Sequence, residues 1–501
     1  MTQNVIPDDI RQLTPNAVWQ WFADICSIPH PTFHEKPLGE FILKKVATEG
    51  KAFGLIGEMD AKGNIRIQKP ASQGLADKAP VIIQAHYDMV AQKGKTSSHD
   101  FTTDPIKPVI KAGWVWADDT TLGADNGIGL AMALAVAFSE TIAHPALTLI
   151  ITSEEEIGMG GVQALSADWL IQRYLINLDS EDEGALFVGC AGGRDATFSR
   201  DFDLIDNPIP AQNNPNLSTI KVSVSGLHGG HSGIDIHKGF ANANLVLARI
   251  LSAIFTQSPF YLHSFSGGVL RNVITRDASA ILVGDLASIE PMIQQQTAII
   301  AHELNAAEPN LKIEIEHVVN EADSQPVIGL ADSQKVLDVL ATIPNGVIRM
   351  SDGFAGVVES SISMGVVSLE QGKLNVKCLM RSLAETPKDA ISERLTALAR
   401  LAGVELKLSD DYPGWQPATD SWLLNTTKPI MQQVFGKAPQ VEVIHAGLEC
   451  GILSGKNPKL DMISFGPNIR AAHSPKERVE IESVEKTWQV LLELLKQLPT
   501  A

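Results

Sequence analysis

Short, almost continuously apolar runs alternate with amphipathic stretches along the first 190 residues or so. The runs at 81–83, 147–151 and 174–176, and a later one at 460–465, are typical of strands that helices cover on both faces. Between them, residues 126–140 carry apolar positions at helical spacing. This alternation predicts an α/β domain built on a mixed, mostly parallel sheet flanked by helices.

A different pattern occupies the middle of the chain, where strands that alternate polar and apolar positions are interspersed with amphipathic helices. Strands are predicted at 219–225, 280–284 and 311–317 with a hairpin over 365–379, and helices at 241–255, 289–304 and 388–401. We therefore predict an inserted α/β sandwich. The first domain then comprises 1–192 and 412–501, and the inserted domain comprises 193–411, as the length of 501 residues allows.

Composition and charge exclude several classes of protein. Lys and Arg total 40 and Asp and Glu total 58, so the net charge of −18 disfavours nucleic acid and anionic membranes as partners. The N-terminal residues lack the basic and apolar segments of a signal peptide, and no apolar run reaches the roughly 20 residues of a membrane span. The four cysteines are far apart and form no Cys-x-x-Cys pair. A cytoplasmic location is the expectation.

Residues of the types that bind metals follow the apolar runs at the points where the strands end. Because the carboxyl ends of strands in an open α/β sheet border one crevice, these side chains should converge. The set consists of His86 and Asp88 after the first run, Glu154, Glu155 and Glu156 after the second, Asp179 after the third, His473 beyond the fourth, and Asp125 at the start of a helix.

Each of these positions also has an ordinary explanation. A single His or Asp after a strand is usually a cap or turn residue, and three adjacent glutamates usually form a solvated loop. The recurrence at four strand ends, with few basic residues nearby, weakens that explanation, since crowded carboxylates repel one another unless a cation is present. A donor set of imidazoles and carboxylates without thiolates suits Zn²⁺, with Mn²⁺ or Co²⁺ as possible substitutes.

Taken together, the motifs resemble one known family, the co-catalytic di-zinc metallopeptidases that include carnosinase and peptidase T. The motifs that carry the likeness are His86-x-Asp88, Gly123-Ala-Asp125-Asn-Gly, Glu155-Glu156-x-Gly158, Asp179-Ser-Glu and His473-Ser-Pro. Segments such as Gly229-Gly-His231-Ser-Gly and His445-Ala-Gly-Leu-Glu-Cys-Gly resemble its dipeptidase branch. The likeness runs from about residue 15 to the C-terminus and implies hydrolysis of unblocked dipeptides with broad specificity, Xaa-His among them.

The resemblance implies a role for each residue at the metal centre. Two zinc ions per subunit would share Asp125, with His86 and Asp179 on one ion and Glu156 and His473 on the other. Asp88 would orient the imidazole of His86, and Glu155 would act as general base. The family also implies a cis peptide bond between Asp125 and Asn126.

The inserted domain is implied to be a lid and dimerisation domain. His231 would reach the active site of a neighbouring subunit and stabilise the oxyanion, which implies a homodimer. Asn272 and Arg381 would recognise the C-terminal side of the substrate, and the backbone N–H of Gly447 would donate to its carboxylate. A loop histidine and a surface ion pair are the ordinary alternatives for His231 and Arg381.

Other functions use similar residues and stay open at the level of sequence. Related tripeptidases, carboxypeptidases and acyl-amino-acid deacylases share the ligand set. A two-metal phosphoesterase is disfavoured by the scarcity of basic residues near the ligands, and a metal-loaded scaffold protein by the presence of Glu155.

Overall fold

The computed structural model describes residues 9–209, 216–318, 325–418 and 420–501, so residues 1–8, on which the signal-peptide prediction depends, lie outside it. The chain forms two compact units. The first unit comprises Met1–Cys190, Trp415–Val443 and Leu448–Ala501, and the second comprises Ala191–Gly414 and Ile444–Gly447.

The segment Ile444–Gly447 belongs to the second unit, whereas the sequence-based division placed it in the first domain. The backbone N–H of Ala191 donates to the carbonyl of Ile444 over 3.0 Å, which attaches the segment to the second unit. A four-residue stretch has no hydrophobic period of its own, so its sequence carries no sign of the unit to which it belongs.

The helices of the described chain are fewer than its strands and belong mostly to the first unit. They are α1 (Asn16–Cys26), α2 (Lys36–Thr48), α3 (Ala124–Ala137) and α4 (Gly160–Ala164) in the first unit, α5 (Ala243–Phe255), α6 (Leu286–Leu304), α7 (Leu330–Thr342) and α8 (Glu385–Ala402) in the second, and α9 (Trp422–Phe435), α10 (Glu449–Lys456) and α11 (Ile481–Lys496) in the first again. Short 3₁₀ turns lie at Ile10–Gln12, Gly50–Phe53, Ala167–Trp169 and Ile236–Lys238. None of the described helices combines the length and apolar character that a bilayer span requires.

The strands follow in chain order. They are β1 (Ile56–Met59), β2 (Ile65–Lys69), β3 (Val81–His86), β4 (Pro108–Lys111), β5 (Trp114–Ala117), β6 (Leu147–Thr152), β7 (Tyr174–Asn177), β8 (Ala185–Cys190), β9 (Gly192–Asp201), β10 (Leu204–Ile205), β11 (Leu217–Ser225), β12 (Gly230–His231), β13 (Tyr261–Gly267), β14 (Val273–Ile274), β15 (Ala278–Asp285), β16 (Lys312–His317), β17 (Val327–Ile328), β18 (Gly346–Met350), β19 (Val358–Glu370), β20 (Lys373–Ser382), β21 (Glu405–Tyr412), β22 (Gln440–Ile444), β23 (Asp461–Ser464), β24 (Ile469–Arg470) and β25 (Arg478–Glu480).

The first unit is built on a mixed sheet with the order β1-β2-β6-β3-β7-β23-β8-β22. Its centre, β6-β3-β7-β23, is parallel, and β1, β2 and β8 pair antiparallel. Every residue of β3 and β6 is buried, and so is nearly all of α3, which explains why these segments are apolar throughout rather than amphipathic. The predicted mixed sheet flanked by helices is confirmed, but only its centre is parallel.

The second unit is built on an antiparallel sheet with the order β16-β11-β15-β13-β19-β20-β9-β21, and β18 pairs with β19 outside that path. Residues from this sheet and from α5, α6 and α7 form one hydrophobic core that includes Phe260, Phe265 and Leu337. The predicted hairpin is present but longer than its sequence pattern, since β19 and β20 stay paired from Glu370–Lys373 to Ser360–Ser382.

Candidate metal centre

Parallel strands bring the predicted ligands to one edge of the sheet of the first unit. His86 is the last residue of β3, Asp179 lies two residues beyond β7, and Glu156 lies four beyond β6. Asp125 begins the first turn of α3, and His473 lies on the segment between β24 and β25. Since β6, β3 and β7 run in the same direction, their carboxyl ends and the residues that follow them are neighbours.

The five side chains form two sets that share one carboxylate. The Nε2 atom of His86 lies 3.3 Å from Oδ1 of Asp125 and 3.4 Å from Oδ1 of Asp179. The Nε2 atom of His473 lies 3.2 Å from Oδ2 of Asp125 and 2.9 Å from Oε2 of Glu156. The two oxygens of Asp125 therefore face two different imidazoles, as a bridging carboxylate would.

Donor chemistry and charge at this cluster both fit divalent cations. One ligand atom each from His86, Asp125 and Glu156 lies within 4.8 Å of the others, and Oε1 of Glu156 is buried without a hydrogen-bond partner among the described residues. Burial raises the pKa of Glu156 and that of Asp179 despite the neighbouring imidazoles. The hydrogen bonds to Asp125 and Glu156 raise the pKa of His473 to about 11. The cluster thus attracts positive charge strongly, and imidazole and carboxylate donors suit zinc or manganese.

The backbone of the shared carboxylate is held next to a second ligand. The peptide bond between Asp125 and Asn126 is cis, as the resemblance implies. The side-chain amide of Asn126 donates to the carbonyl of Leu178 over 2.8 Å and to Oδ1 of Asp179. These contacts link the start of α3 to the residues that follow β7.

His86 is oriented mainly by the main chain of Asp88. Its Nδ1 atom lies 3.1 Å from the carbonyl oxygen of Asp88 and 3.5 Å from the carboxylate, so the carbonyl is the acceptor within hydrogen-bonding range. With the proton on Nδ1, the Nε2 atom that faces Asp125 and Asp179 is free to act as a ligand.

Glu155 and Glu154 differ in their surroundings although they are adjacent. Burial, together with the charges of Asp179 and Glu156, raises the pKa of Glu155 well above its ordinary value. Glu154 instead pairs with the ammonium group of Lys62 over 2.5 Å, as an acidic residue of a solvated loop would. Of these two residues, Glu155 therefore has the buried surroundings that favour uptake of a proton by a carboxylate.

The second unit brings two side-chain hydrogen-bond donors together, those of His231 and Arg381. The Nδ1 atom of His231 accepts from the backbone N–H groups of Gly233 and Ile234 over 3.2 and 3.1 Å, so the neutral ring carries its proton on Nε2. That Nε2 atom lies 3.4 Å from Nη2 of Arg381. Burial and the charge of Arg381 lower the pKa of His231 to about 4. At neutral pH two donors therefore converge, an arrangement that fits an anionic oxygen.

Arg381 is buried rather than paired at the surface. Arg381 is 4% exposed and forms no ion pair with the described residues. Its Nε atom has no hydrogen-bond partner among those residues. Its other neighbour is the hydroxyl of Tyr412, 3.3 Å from Nη1. A buried guanidinium with unused donors is suited to a carboxylate that arrives from outside.

The remaining predicted residues of the second unit lie near this cluster. The carbonyl of Asn272 accepts from the N–H of Ser232 over 2.9 Å, beside the pairing of β12 with β14. Gly233 packs so closely on the carbonyl of His445 that a Cβ atom would lie 2.0 Å from that oxygen. Gly447 follows two residues later, so the segment of the second unit that contains it lies against the His231 loop.

Sequence reasoning did not find two polar residues of this cluster. Ser361 lies 2.7 Å from Nε2 of His445, and Tyr412 contacts Arg381. Ser361 is one of several serines in β19, and Tyr412 belongs to a turn-rich segment, so neither had a spacing that would have singled it out.

Two imidazoles and two carboxylates surround the shared carboxylate of Asp125 at the edge of a mixed sheet. This site, in a chain with a second, antiparallel unit, is that of a metal-dependent hydrolase. It belongs to the peptidase family M20/M25/M40, whose model matches residues 82–497, and it is therefore a peptide-bond hydrolase of a family that uses divalent metal ions.

Close relatives extend the match to nearly the whole chain. The cytosol non-specific dipeptidase of Escherichia coli (strain K12) is 42% identical over 494 residues, which cover 98% of this chain and 99% of that protein. The crystal structure of aminoacylhistidine dipeptidase from Vibrio alginolyticus matches with a TM-score of 0.89 at 39% identity and covers 98% of both chains. The aminopeptidase PepT from Bacillus cereus, at 15% identity and a TM-score of 0.53 over 97% of this chain and 99% of that one, shares the fold.

Proposed function

We propose that the protein is a cytoplasmic di-zinc dipeptidase that hydrolyses unblocked dipeptides with broad specificity, Xaa-His dipeptides included. The observation that carries the proposal is the position of Asp125, whose two oxygens face His86 on one side and His473 on the other. Two relatives that match almost the entire chain are named as dipeptidases, which supports the choice of substrate length.

Two cations would be held by the five residues of this cluster. His86 and Asp179 would bind one, Glu156 and His473 the other, and Asp125 both. Zinc fits the imidazole and carboxylate donors best, and Mn²⁺ or Co²⁺ would be substitutes. When bound, such ions supply Lewis-acid polarisation of the substrate carbonyl and lower the pKa of the attacking water.

Glu155 would perform the proton transfers. Its carboxylate takes the proton from the attacking water and then delivers it to the nitrogen of the leaving amine, so no net proton is gained or lost by the enzyme. The raised pKa of Glu155 suits a group that must both accept and release a proton. Asp88 fixes the loop on which Glu155 lies.

The donor cluster of the second unit would bind the anionic parts of the substrate. The guanidinium of Arg381 suits the free carboxylate of a dipeptide, with the backbone N–H of Gly447 and the side chain of Asn272 as further contacts. The neutral His231, with its proton on Nε2, would donate to the oxyanion that develops from the scissile carbonyl. In this proposal His231 acts on a neighbouring subunit, so the active form is a homodimer.

Replacement of Glu155 by Gln tests the proposal. The variant should bind zinc as the wild type does, because the ligands are unchanged, and should hydrolyse Ala-His at least about a hundredfold more slowly, as expected for loss of a general base. Glu154→Gln is the matched control, since Glu154 is paired with Lys62, and it should keep most of the activity.

Substrate length is tested in parallel. Wild-type protein should hydrolyse Ala-His far faster than Ala-Ala-His or N-acetyl-Ala. Preference for the tripeptide would indicate a tripeptidase, and preference for N-acetyl-Ala an acyl-amino-acid deacylase.

More than a tenth of wild-type activity in Glu155→Gln would refute the general-base role.

A further inference from the structure

Glu477 is a buried carboxylate that no sequence motif identified, four residues after His473. Its Oε2 atom accepts from the backbone N–H groups of Leu122 and Gly123 over 2.7 and 3.0 Å. Its Oε1 atom accepts from those of Ala124 and Asp125 over 2.8 and 3.2 Å. One side chain thus binds four consecutive backbone N–H groups.

This arrangement uses the full acceptor capacity of a carboxylate. Two oxygens with about four lone-pair directions match four N–H donors. The first N–H groups of a helix have no partner inside the helix, and those of Ala124 and Asp125 belong to the start of α3 (Ala124–Ala137). A glutamine at this position would present an NH₂ group to two of the donors and leave them unpaired.

The residue at the end of this segment is the shared carboxylate of the metal centre. Glu477 fixes the backbone N–H of Asp125, while Asn126, the next residue, is anchored to Leu178 by its side chain. His473 faces Oδ2 of the same Asp125. A single stretch, 473–477, therefore contacts Asp125 twice, once at its carboxylate and once at its backbone.

We propose that Glu477 is a positioning residue for the bridging carboxylate: it holds the backbone of residues 122–125 so that the two oxygens of Asp125 stay directed at the two imidazoles. This inference rests on the proposed function, because it concerns the site that would hold both cations. It assigns a role in metal affinity to a residue that is not itself a ligand.

A simple contribution to helix stability is the rival explanation, and a matched residue separates the two. Asp461 lies in the same unit and also accepts from N–H groups at a helix start, those of Trp422 and Leu423 over 2.8 and 3.2 Å, at α9. Among the described residues it forms no hydrogen bond with any of the five predicted ligands. Asp461→Ala therefore removes both acceptor oxygens from the start of α9 without touching Asp125.

The experiment compares zinc binding by the metal-stripped wild type, Glu477→Gln and Asp461→Ala, by competition with a chromogenic chelator at neutral pH. Folding is monitored by circular dichroism. We expect Glu477→Gln to bind both zinc ions about 10- to 100-fold more weakly, as is usual when a residue that supports a ligand is changed. Asp461→Ala should lower the melting temperature and leave both affinities within about twofold, because it acts through the helix alone.

Glu477→Asp keeps the negative charge and covers the case in which Glu477→Gln does not fold. It should recover part of the zinc affinity, since at least two of the four N–H groups would regain an acceptor. Unchanged zinc affinity in a folded Glu477→Gln or Glu477→Asp would overturn the inference alone. Fewer than two zinc ions in the wild type would overturn the proposed two-metal function and this inference with it.

Discussion

Oδ1 of Asp88 accepts a hydrogen bond of 2.9 Å from the backbone N–H of Glu155. Its Oδ2 atom accepts from the N–H of Glu156 over 3.2 Å and from the hydroxyl of Thr32 over 2.9 Å. The carboxylate of Asp88 therefore fixes the loop that carries the predicted base and one predicted ligand, while its carbonyl oxygen orients His86.

Asp88→Asn should impair catalysis more than folding. The amide would offer an NH₂ group where the carboxylate accepted, so one of the two N–H groups of the loop would lose its acceptor. We expect kcat for Ala-His to fall about 10- to 100-fold, the usual effect of changing a residue that orients ligands. Thr32→Val removes only the hydroxyl contact and should change kcat by less than about threefold. Equal effects of the two substitutions would contradict the role of Asp88.

The sequence predicts the residues that follow strands of the sheet, but not the hydrogen bonds between the loops that carry them. His86, Asp179 and Glu156 were predicted together because parallel strands align their ends, and an apolar run marks each strand. The contacts of Asp88 with residues 155 and 156, and of Glu477 with residues 122–125, join loops across the sheet edge. Loops have no hydrophobic period, so these hydrogen bonds leave no sign in the sequence.

In the second unit, too, contacts between residues far apart in the sequence could not be predicted. Its strands were predicted from alternation, but their order is set by pairings across more than 100 residues, such as β9 with β20. The resemblance to the family points to Arg381, whereas its burial and its contact with His231 are seen only in the structure. The sequence therefore leaves a surface ion pair as an alternative that is nearly as well supported.

Removal of metal should destabilise the first unit specifically. Without cations, three carboxylates converge on two imidazoles, and bound zinc stabilises the folded state by about 4 kcal/mol at a thousand times its dissociation constant. All eight tryptophans lie in the first unit, so tryptophan fluorescence reports its melting. We expect chelation to abolish hydrolysis and lower that melting temperature, and zinc to restore both.

Asp125→Asn provides the control for the chelation experiment. It removes the charge of the shared carboxylate, so added zinc should raise its melting temperature much less than that of the wild type. A wild-type melting temperature that is the same with and without zinc would count against a resident metal.

Because Arg381 is proposed to bind the substrate carboxylate, the rate of hydrolysis should depend on a free C-terminus in the substrate. Wild-type protein should hydrolyse Ala-His amide with a kcat/KM about 10- to 100-fold below that for Ala-His, the effect of losing a charge-assisted hydrogen bond. In Arg381→Met both substrates should be hydrolysed equally slowly, mainly through a higher KM. Tyr412→Phe, which removes only the hydroxyl near Nη1, should retain the preference. A preference that persists in Arg381→Met would assign the carboxylate to another residue.

The proposed action of His231 on a neighbouring subunit can be tested by complementation. Chains with Glu155→Gln and chains with His231→Ala are each expected to be inactive. In a mixed dimer, however, one site would combine the intact Glu155 of one chain with the intact His231 of the other. Random pairing should restore about a quarter of wild-type activity, because half of the dimers are mixed and each contains one intact site. Purified mixed dimers without activity would place His231 in its own subunit's site.

Neutral His445 makes the second unit sensitive to acid. Burial and the nearby charge of Arg381 lower the pKa of His445 to about 3, with His231 and His237 adding to the effect and a hydrogen bond with Val358 opposing it. The unfolded chain, with an ordinary pKa near 6.5, binds a proton that the folded chain does not. Stability is therefore complete above pH 6.5 and declines as the pH falls below it, by about 2 kcal/mol at pH 5 from this residue.

Hydrogen exchange of the buried amides of β19 measures this free energy within the second unit. Between pH 7.5 and pH 5, wild-type protein should lose about 2 kcal/mol more of unfolding free energy than His445→Gln, whose amide can retain a hydrogen bond to Ser361 but does not titrate. His237→Gln, a change at an exposed histidine of the same unit, should behave as the wild type does. If His445→Gln lost as much stability as the wild type over this range, the acid sensitivity would have to come from other groups.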